Sequence, residues 1–279
     1  MEDTWSVEIW GVRGAAPAAY RDFLEYGGNT SCISVDCCGE TVIFDAGTGL
    51  LELGRRLRKK GIKRVHILLS HLHMDHICGL YGFPLFLDAA AEIHLYGRAE
   101  EGRLKERLGA LLGRPYWPYD ATAFSARVEV HEILPESVFH IKRGKEGDKA
   151  ELAVRTLAGN HPGGSLLYRL EEGERSIVYG LDCETDGRMS AALQAFARDG
   201  KLLIWDANFT DEDLGRCAGW GHSSWRQGME LGRAAGAGLV LMTHYSREYT
   251  DCFLRGQQEL AEREDDICRF AKEGMVIRI

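Results

Sequence analysis

The sequence predicts an α/β fold, built from layers of sheet and helix, in one domain that spans residues 1–279. A length of 279 residues suits a single large domain, and 45% hydrophobic with 27% charged residues is ordinary for a soluble globular chain. Strand patterns come first, helices interleave with them, and this order occurs twice along the chain. No linker-like composition separates the two halves, so we expect them to form one sandwich.

The first half begins with short apolar runs rich in β-branched residues. These runs predict strands at 7–12, 32–36, 41–45, 65–69 and 91–96. Helical periodicity predicts one helix over 50–60, ended by Gly61, and a second helix over 100–112. A proline-rich aromatic loop follows at 115–119.

The second half repeats the order of strands followed by interleaved helices. Strand-like pieces recur between 126 and 157 around a polar stretch at 143–149, and further strands are predicted at 166–170, 176–179, 202–206 and 239–243. Helices are predicted at 186–199, at 224–235 and within 253–271.

Charge and cysteine usage restrict the partners and the compartment. The net charge is −8, and two of the three basic segments, 103–107 and 142–149, alternate with glutamate, unlike 55–64. We therefore expect no large nucleic acid and no membrane as a partner, whereas a small-molecule phosphoester and a homodimer stay open. The eight cysteines form no CxxC pair and the N-terminus shows no secretory pattern, which predicts a cytoplasmic protein with reduced thiols.

Four metal-ligand side chains follow the apolar run at 65–69 within six residues. They are His71, His73, Asp75 and His76. A rigid strand that ends in a loop lets such side chains converge on one point, and two divalent ions close together would use this pattern well. The spacing predicts a metal site at this strand end.

The segment HLHMDH at 71–76 resembles the signature of the metallo-β-lactamase fold hydrolases. The resemblance continues, in order, through the segments 44–49, 160–164, 179–184, 219–223 and 242–245. It implies a four-layer αββα sandwich of metallo-β-lactamase type. The segments 11–17 and 26–32 are most similar to a phosphodiesterase-like branch that includes tRNA 3′-processing nucleases and cyclic phosphodiesterases. Ala15 stands where that branch has serine, and Tyr245-Ser246 replaces a His-Asp pair.

The resemblance also implies a role for each site residue. One metal would take His71, His73 and His161, the other would take Asp75, His76 and His244, and Asp182 would bridge the two. The catalytic residues implied are His222, as proton donor or transition-state stabiliser, together with Asp75 and Asp182. The other interpretation of His222 is a hydrogen-bonded structural histidine next to Trp220. A histidine at position 73 favours two Zn²⁺ ions, with Mn²⁺ or Fe²⁺ as the other candidates.

The sequence thus predicts a two-metal phosphodiesterase that cleaves a small phosphodiester or cyclic phosphate through a metal-bridging hydroxide. The alternative is a lactone, ester or amide hydrolase on the same dinuclear site. An iron-dependent redox member and a non-catalytic binding module are the remaining hypotheses.

Further residues have two open interpretations each. Asp45 would orient a metal-binding histidine or cap a turn. The segment 27–31 and Arg13 would contact phosphate or form a tight turn. The other four histidines lack a matching motif and are expected to be structural: His66, His94, His131 and His140.

Overall fold

The computed structural model describes residues 4–99, 103–118, 124–142 and 151–279. The strands in chain order are β1 (Ser6–Gly11), β2 (Cys32–Cys37), β3 (Glu40–Phe44), β4 (Arg64–Leu68), β5 (Glu92–Arg98), β6 (Arg127–Ile133), β7 (Val138–Lys142), β8 (Glu151–Gly159), β9 (Ser165–Glu172), β10 (Arg175–Gly180), β11 (Leu202–Asp206), β12 (Val240–Thr243), β13 (Cys268–Phe270) and β14 (Val276–Arg278). The α-helices are α1 (Leu50–Lys60), α2 (Met74–Ile77), α3 (Leu104–Leu111), α4 (Gly187–Ala197), α5 (Asp211–Leu214), α6 (Trp225–Ala235) and α7 (Asp251–Glu264).

The strands form two seven-stranded sheets. The first has the order β14-β1-β2-β3-β4-β5-β6 and the second the order β13-β12-β11-β10-β9-β8-β7. In the first sheet the strands from β3 to β6 are parallel, and in the second sheet the strands from β10 to β13 are parallel. The other neighbouring strands of both sheets are antiparallel. The carboxyl ends of the parallel strands in each sheet therefore share one edge.

Apolar side chains fill the space between the two sheets and cover their outer faces. Phe44 of β3 stacks on Tyr179 of β10, with ring centroids 4.8 Å apart, so the two sheets share one core. On the outside of the first sheet, α1, α3 and two short 3-10 helices, Cys78–Gly82 and Pro84–Leu87, cover the apolar face. The helices α4, α6 and α7 lie outside the second sheet. The predicted four-layer αββα sandwich is confirmed.

Local sequence signals explain where several elements begin and end. The helix α1 buries Leu50, Leu53 and Leu57 and ends at Gly61, whose φ of 73° is the left-handed conformation that glycine adopts freely. The helix α6 starts at Ser224, which forms a capping box with Gln227. Both helices match their predicted ranges.

Some elements differ from the prediction. The helix predicted over 100–112 begins at Leu104 in the described residues. The helix predicted within 253–271 is α7, which begins two residues earlier, at Asp251, and is followed in this segment by the short strand β13. The polar stretch 143–149 and residue 119 of the aromatic loop lie outside the described residues. In that loop Trp117 packs against Tyr81, with ring centroids 5.1 Å apart.

Among the helices of the described ranges, none has the length and hydropathy needed to cross a membrane.

Candidate metal centre

The candidate site residues meet at the edge where the parallel strands of both sheets end. The segment after β4 carries His71, His73, Asp75 and His76, and the loop between β8 and β9 carries His161. Asp182 follows β10 and His244 follows β12. Five of the seven predicted ligands therefore come from strand ends or connecting loops, and Asp75 and His76 lie in the short helix α2 that follows β4. The rigid sheets fix the backbone at these positions and let the side chains converge.

Three histidines form the first group of ligand atoms. Those of His71, His73 and His161 lie within 4.8 Å of one another, and Nε2 of His161 is 3.1 Å from Nδ1 of His73. The Nδ1–H of His161 donates to the carbonyl oxygen of Gly221 at 3.0 Å. This bond leaves the Nε2 lone pair available for a metal ion.

A carboxylate and two histidines form the second group. Oδ2 of Asp75 lies 3.1 Å from Nε2 of His76 and 3.4 Å from Nε2 of His244. The backbone N–H of Ala15 donates to the same carboxylate oxygen at 2.8 Å. Because this hydrogen bond comes from the backbone, Ala15 can make it although it lacks the side-chain hydroxyl of the expected serine.

Asp182 lies between the two groups. Its Oδ1 is 3.9 Å from Nε2 of His71 and 3.7 Å from Nε2 of His161. Its Oδ2 is 3.1 Å from Nε2 of His76 and 3.4 Å from Nε2 of His244. One oxygen faces each group, which is the arrangement expected of a carboxylate that bridges two cations.

Unpaired buried atoms show that this donor set suits cations. Nε2 of His71 and Oδ2 of Asp182 are buried and make no hydrogen bond of acceptable geometry within the described residues. Burial opposes the charge on Asp182 and Asp75, yet the surrounding imidazoles hold the pKa of both carboxyl groups below the usual range. Although burial opposes it, the carboxylates raise the pKa of His244 to about 10 and that of His76 well above normal. The buried carboxylates therefore require positive charge beside them, which divalent ions supply.

Asp45 supports the second group from behind. Its Oδ2 lies 2.7 Å from Nδ1 of His76, so the predicted contact with a candidate metal-binding histidine is present. The same oxygen accepts from Oη of Tyr179 at 2.7 Å and Oγ of Ser70 at 2.9 Å, and its Oδ1 accepts from the backbone N–H of Ser70. These bonds fix the orientation of the His76 ring.

His222 lies beside both groups but is held by a different carboxylate. Its Nδ1 is 2.8 Å from Oδ2 of Asp206, and its ring centroid is 5.2 Å from that of His161 and 5.3 Å from that of His244. Burial alone would lower the pKa of His222, but the Asp206 carboxylate raises it. Asp206 in turn accepts from the backbone N–H of Asp182 at 3.0 Å.

Sequence reasoning missed Asp206 and Glu184. Asp206 ends the buried apolar strand β11, as Asp45 follows β3, so the same signal was available for it. Glu184 accepts the backbone N–H groups of Gly219 at 2.8 Å and Gly221 at 3.1 Å, and so holds the loop that carries His222. No local motif marks this second role.

Arg13 and the glycine-rich segment are used internally. Arg13 is fully buried, donates to the carbonyl oxygens of Gly27 at 2.7 Å and Tyr249 at 2.6 Å, and lies 3.7 Å from Asp251. The N–H groups of residues 29 and 30 are bound to the side chains of Glu273 and Thr48. The geometry favours a structural role over phosphate contact.

Tyr245 is also structural. It stands in place of the expected histidine, is fully buried, and donates its hydroxyl to the carbonyl oxygens of Met242 at 2.6 Å and Ala271 at 3.1 Å. This substitution leaves the ligand set unchanged.

Comparison with known proteins places these observations in a family. Residues 40–245 match the model of the β-lactamase superfamily domain. A relative named ribonuclease Z, from Haloarcula marismortui, is 27% identical over 99% of this chain and 97% of its own length. YhfI from Bacillus subtilis superposes with a TM-score of 0.74 at 20% identity over the whole of both chains. Human tRNase Z, short form, gives a TM-score of 0.69 at 21% identity over 98% of both chains.

These relatives overturn the expectation that no large nucleic acid is a partner. That expectation is wrong because relatives that match 98–99% of the chain are named ribonuclease Z, and RNA is a large nucleic acid. Net charge sums the whole surface, whereas phosphate binding depends on local cations. Here Arg55, Arg58 and Lys59 share an exposed side of α1 and line a cavity of about 580 Å³.

The match over residues 40–245 settles the family: the chain belongs to the β-lactamase superfamily and is a hydrolase with the metallo-β-lactamase fold.

Proposed function

We propose that this protein is a dinuclear metal-dependent phosphodiesterase. The observation that carries the proposal is the His222–Asp206 pair, joined by a contact of 2.8 Å, beside a carboxylate that faces two groups of metal-ligand atoms. A proton donor next to a two-cation site is what cleavage of a phosphodiester with a poor leaving group requires.

The seven predicted ligands fit two divalent ions. The first ion is assigned to His71, His73 and His161, the second to Asp75, His76 and His244, and Asp182 is shared. Two such ions supply Lewis acidity, an activated water at neutral pH, and neutralisation of charge on the phosphoryl group. Zinc is the metal proposed, because nitrogen and oxygen donors at open sites suit it, with manganese and iron as the other candidates.

The protein's own groups hold and move the proton. With Nδ1 of His222 bound to Asp206, a proton on the other ring nitrogen, Nε2, is available to the leaving oxygen. Asp206 keeps the ring in one orientation, and Glu184 holds the adjoining loop through two backbone N–H groups. Asp45 plays the corresponding positioning role for His76.

The substrate class proposed is a phosphodiester in RNA, because the relatives named ribonuclease Z cover nearly the whole chain. The finer prediction of a small phosphodiester or cyclic phosphate stays a prediction. If the metal centre and His222 contact only the scissile phosphate, the protein would cleave both an RNA phosphodiester and a small phosphodiester.

A substrate panel tests the proposal. Protein loaded with zinc or manganese is assayed on bis(p-nitrophenyl) phosphate, a cyclic nucleotide, a tRNA precursor with a 3′ extension, and a lactone. We expect phosphodiester turnover that is lost in His71→Ala and retained in His140→Ala, an exposed histidine on β7. Turnover of the lactone without turnover of any phosphodiester would contradict the proposal and favour the carbon-ester alternative.

A further inference from the structure

A second cluster of metal-ligand side chains lies on the first sheet, outside the candidate metal centre. His94 is on β5, and Glu129 and His131 are on the neighbouring strand β6. Glu129 is directly opposite His94 in the register, and His131 is two residues further along. Because alternate residues of a strand share a face, all three side chains lie on the same face of the sheet.

The three ligand atoms form a triangle of the size that a metal ion needs. Nδ1 of His94 is 3.1 Å from Nε2 of His131 and 3.4 Å from Oε2 of Glu129. Nε2 of His131 is 3.8 Å from the same oxygen. Bonds of about 2.0–2.1 Å from zinc to nitrogen and oxygen give a tetrahedron with edges of about 3.3 Å. Two sides of the triangle lie within about 0.2 Å of that edge length, and the third, between His131 and Glu129, is about 0.5 Å longer.

Glu92 and Arg127 orient His94 so that its Nδ1 faces the other two ligand atoms. Its Nε2 lies 3.2 Å from Oε1 of Glu92, so the Nε2–H donates to a carboxylate and the Nδ1 lone pair points to the other two groups. Arg127 forms ion pairs with both Glu92 and Glu129 and holds the two carboxylates in place. A carboxylate–histidine pair of this kind is the usual outer support of a metal-binding imidazole.

Aromatic rings enclose the cluster, and its open side allows an ion to enter. His66 stacks on His94 with centroids 4.8 Å apart, and Tyr96 stacks on His131 at 4.5 Å. The side chains of Glu129 and His131 are each 34% exposed, whereas that of His94 is 13% exposed. Burial lowers the pKa of both imidazoles of the cluster.

We propose that His94, Glu129 and His131 form an additional binding site for one divalent transition-metal ion, best suited to Zn²⁺. Two imidazole nitrogens and one carboxylate oxygen are ligands that zinc prefers, and a water molecule completes the tetrahedron. The ion joins β5 to β6, the last strand of the first sheet in the described residues. The competing account is a direct hydrogen bond between the two imidazoles, with no ion.

Metal content distinguishes the two accounts. The full-length protein, His131→Gln and Glu129→Gln are dialysed against zinc and analysed for zinc per chain, with His140→Gln as the matched control. We expect both cluster variants to hold one zinc fewer than the wild type and the control to hold the same number. The difference is the criterion, so the result does not depend on how many ions the catalytic centre binds. Equal zinc content in all four proteins would overturn the proposal.

A second measurement needs no variant and so avoids any folding defect. The wild-type protein is treated with diethyl pyrocarbonate, with and without zinc, and the modified histidines are located by mass spectrometry. We expect zinc to protect His94 and His131 and to leave the exposed His140 unprotected. Unchanged modification of His94 and His131 in the presence of zinc would contradict the site.

Discussion

Replacing His222 with alanine should separate substrates by the quality of their leaving group. Nδ1 of His222 is bound to Asp206, and the ring lies about equally far from His161 and His244, which belong to different ligand groups. A proton on Nε2 is therefore well placed for an oxygen that leaves a phosphorus atom bound near both groups. An alkoxide needs that proton, whereas p-nitrophenolate leaves without it.

The expected loss follows from the usual contribution of general acid catalysis. For an RNA substrate, whose leaving group is a ribose oxygen, kcat should fall by about 10²–10⁴-fold in His222→Ala. This corresponds to about 2.7–5.4 kcal/mol of transition-state stabilisation. For bis(p-nitrophenyl) phosphate the change should be small, because the leaving group needs no proton.

Steady-state assays on the two substrates, with His140→Ala as the control, measure the effect. The zinc content of each variant is determined first, so that loss of metal is not mistaken for loss of the proton donor. An equal fall on both substrates at unchanged zinc content would refute the assignment, because it would show that His222 does not act by donating a proton to the leaving group.

Three further substitutions test the supporting contacts. Asp45→Asn should lower zinc affinity about 10–100-fold in a metal titration, because one oxygen of Asp45 receives three side-chain contacts that an amide nitrogen cannot replace. Arg13→Met should cost about 3–5 kcal/mol in urea unfolding, since it leaves a largely buried carboxylate without its cation. Gly228→Ala should destabilise the fold by about 1–3 kcal/mol in the same assay, because its new Cβ would lie 2.2 Å from Cδ1 of Trp205. The control Gly256→Ala, which meets nothing within 4 Å, should stabilise α7 by about 1 kcal/mol, and a loss there would contradict the packing argument.

Sequence patterns predicted the elements whose ends and buried faces are set by residues close together in the sequence. The helix α1 was predictable because its leucines recur at helical spacing and Gly61 supplies the left-handed ending. The short strands β13 and β14 were not, because three residues carry too little pattern. Their pairing with β12 and β1, far away in the sequence, makes them strands.

The same distinction applies to the site. The loop from His71 to His76 was visible because its ligand types are adjacent in sequence. Glu184 was not, because its role depends on two backbone N–H groups of a loop 35 and 37 residues away. The cluster of His94 and His131 was likewise invisible, since its members come from two strands 37 residues apart that meet only in the sheet.

The backbone at the strand ends has a consequence for which residues these positions can accept. Asp45, Asp182 and His244 have φ values of 57°, 55° and 61°, in the left-handed region that most side chains avoid. Aspartate and histidine enter that region more readily than other residues apart from glycine and asparagine, and each such position still costs about 1–3 kcal/mol. A valine or threonine at any of the three positions would thus remove the carboxylate or imidazole and would also disfavour the left-handed backbone conformation found there. A glycine would relieve the turn while abolishing the chemistry, so we expect the most stable sequence for this fold to differ from the active one at these three positions.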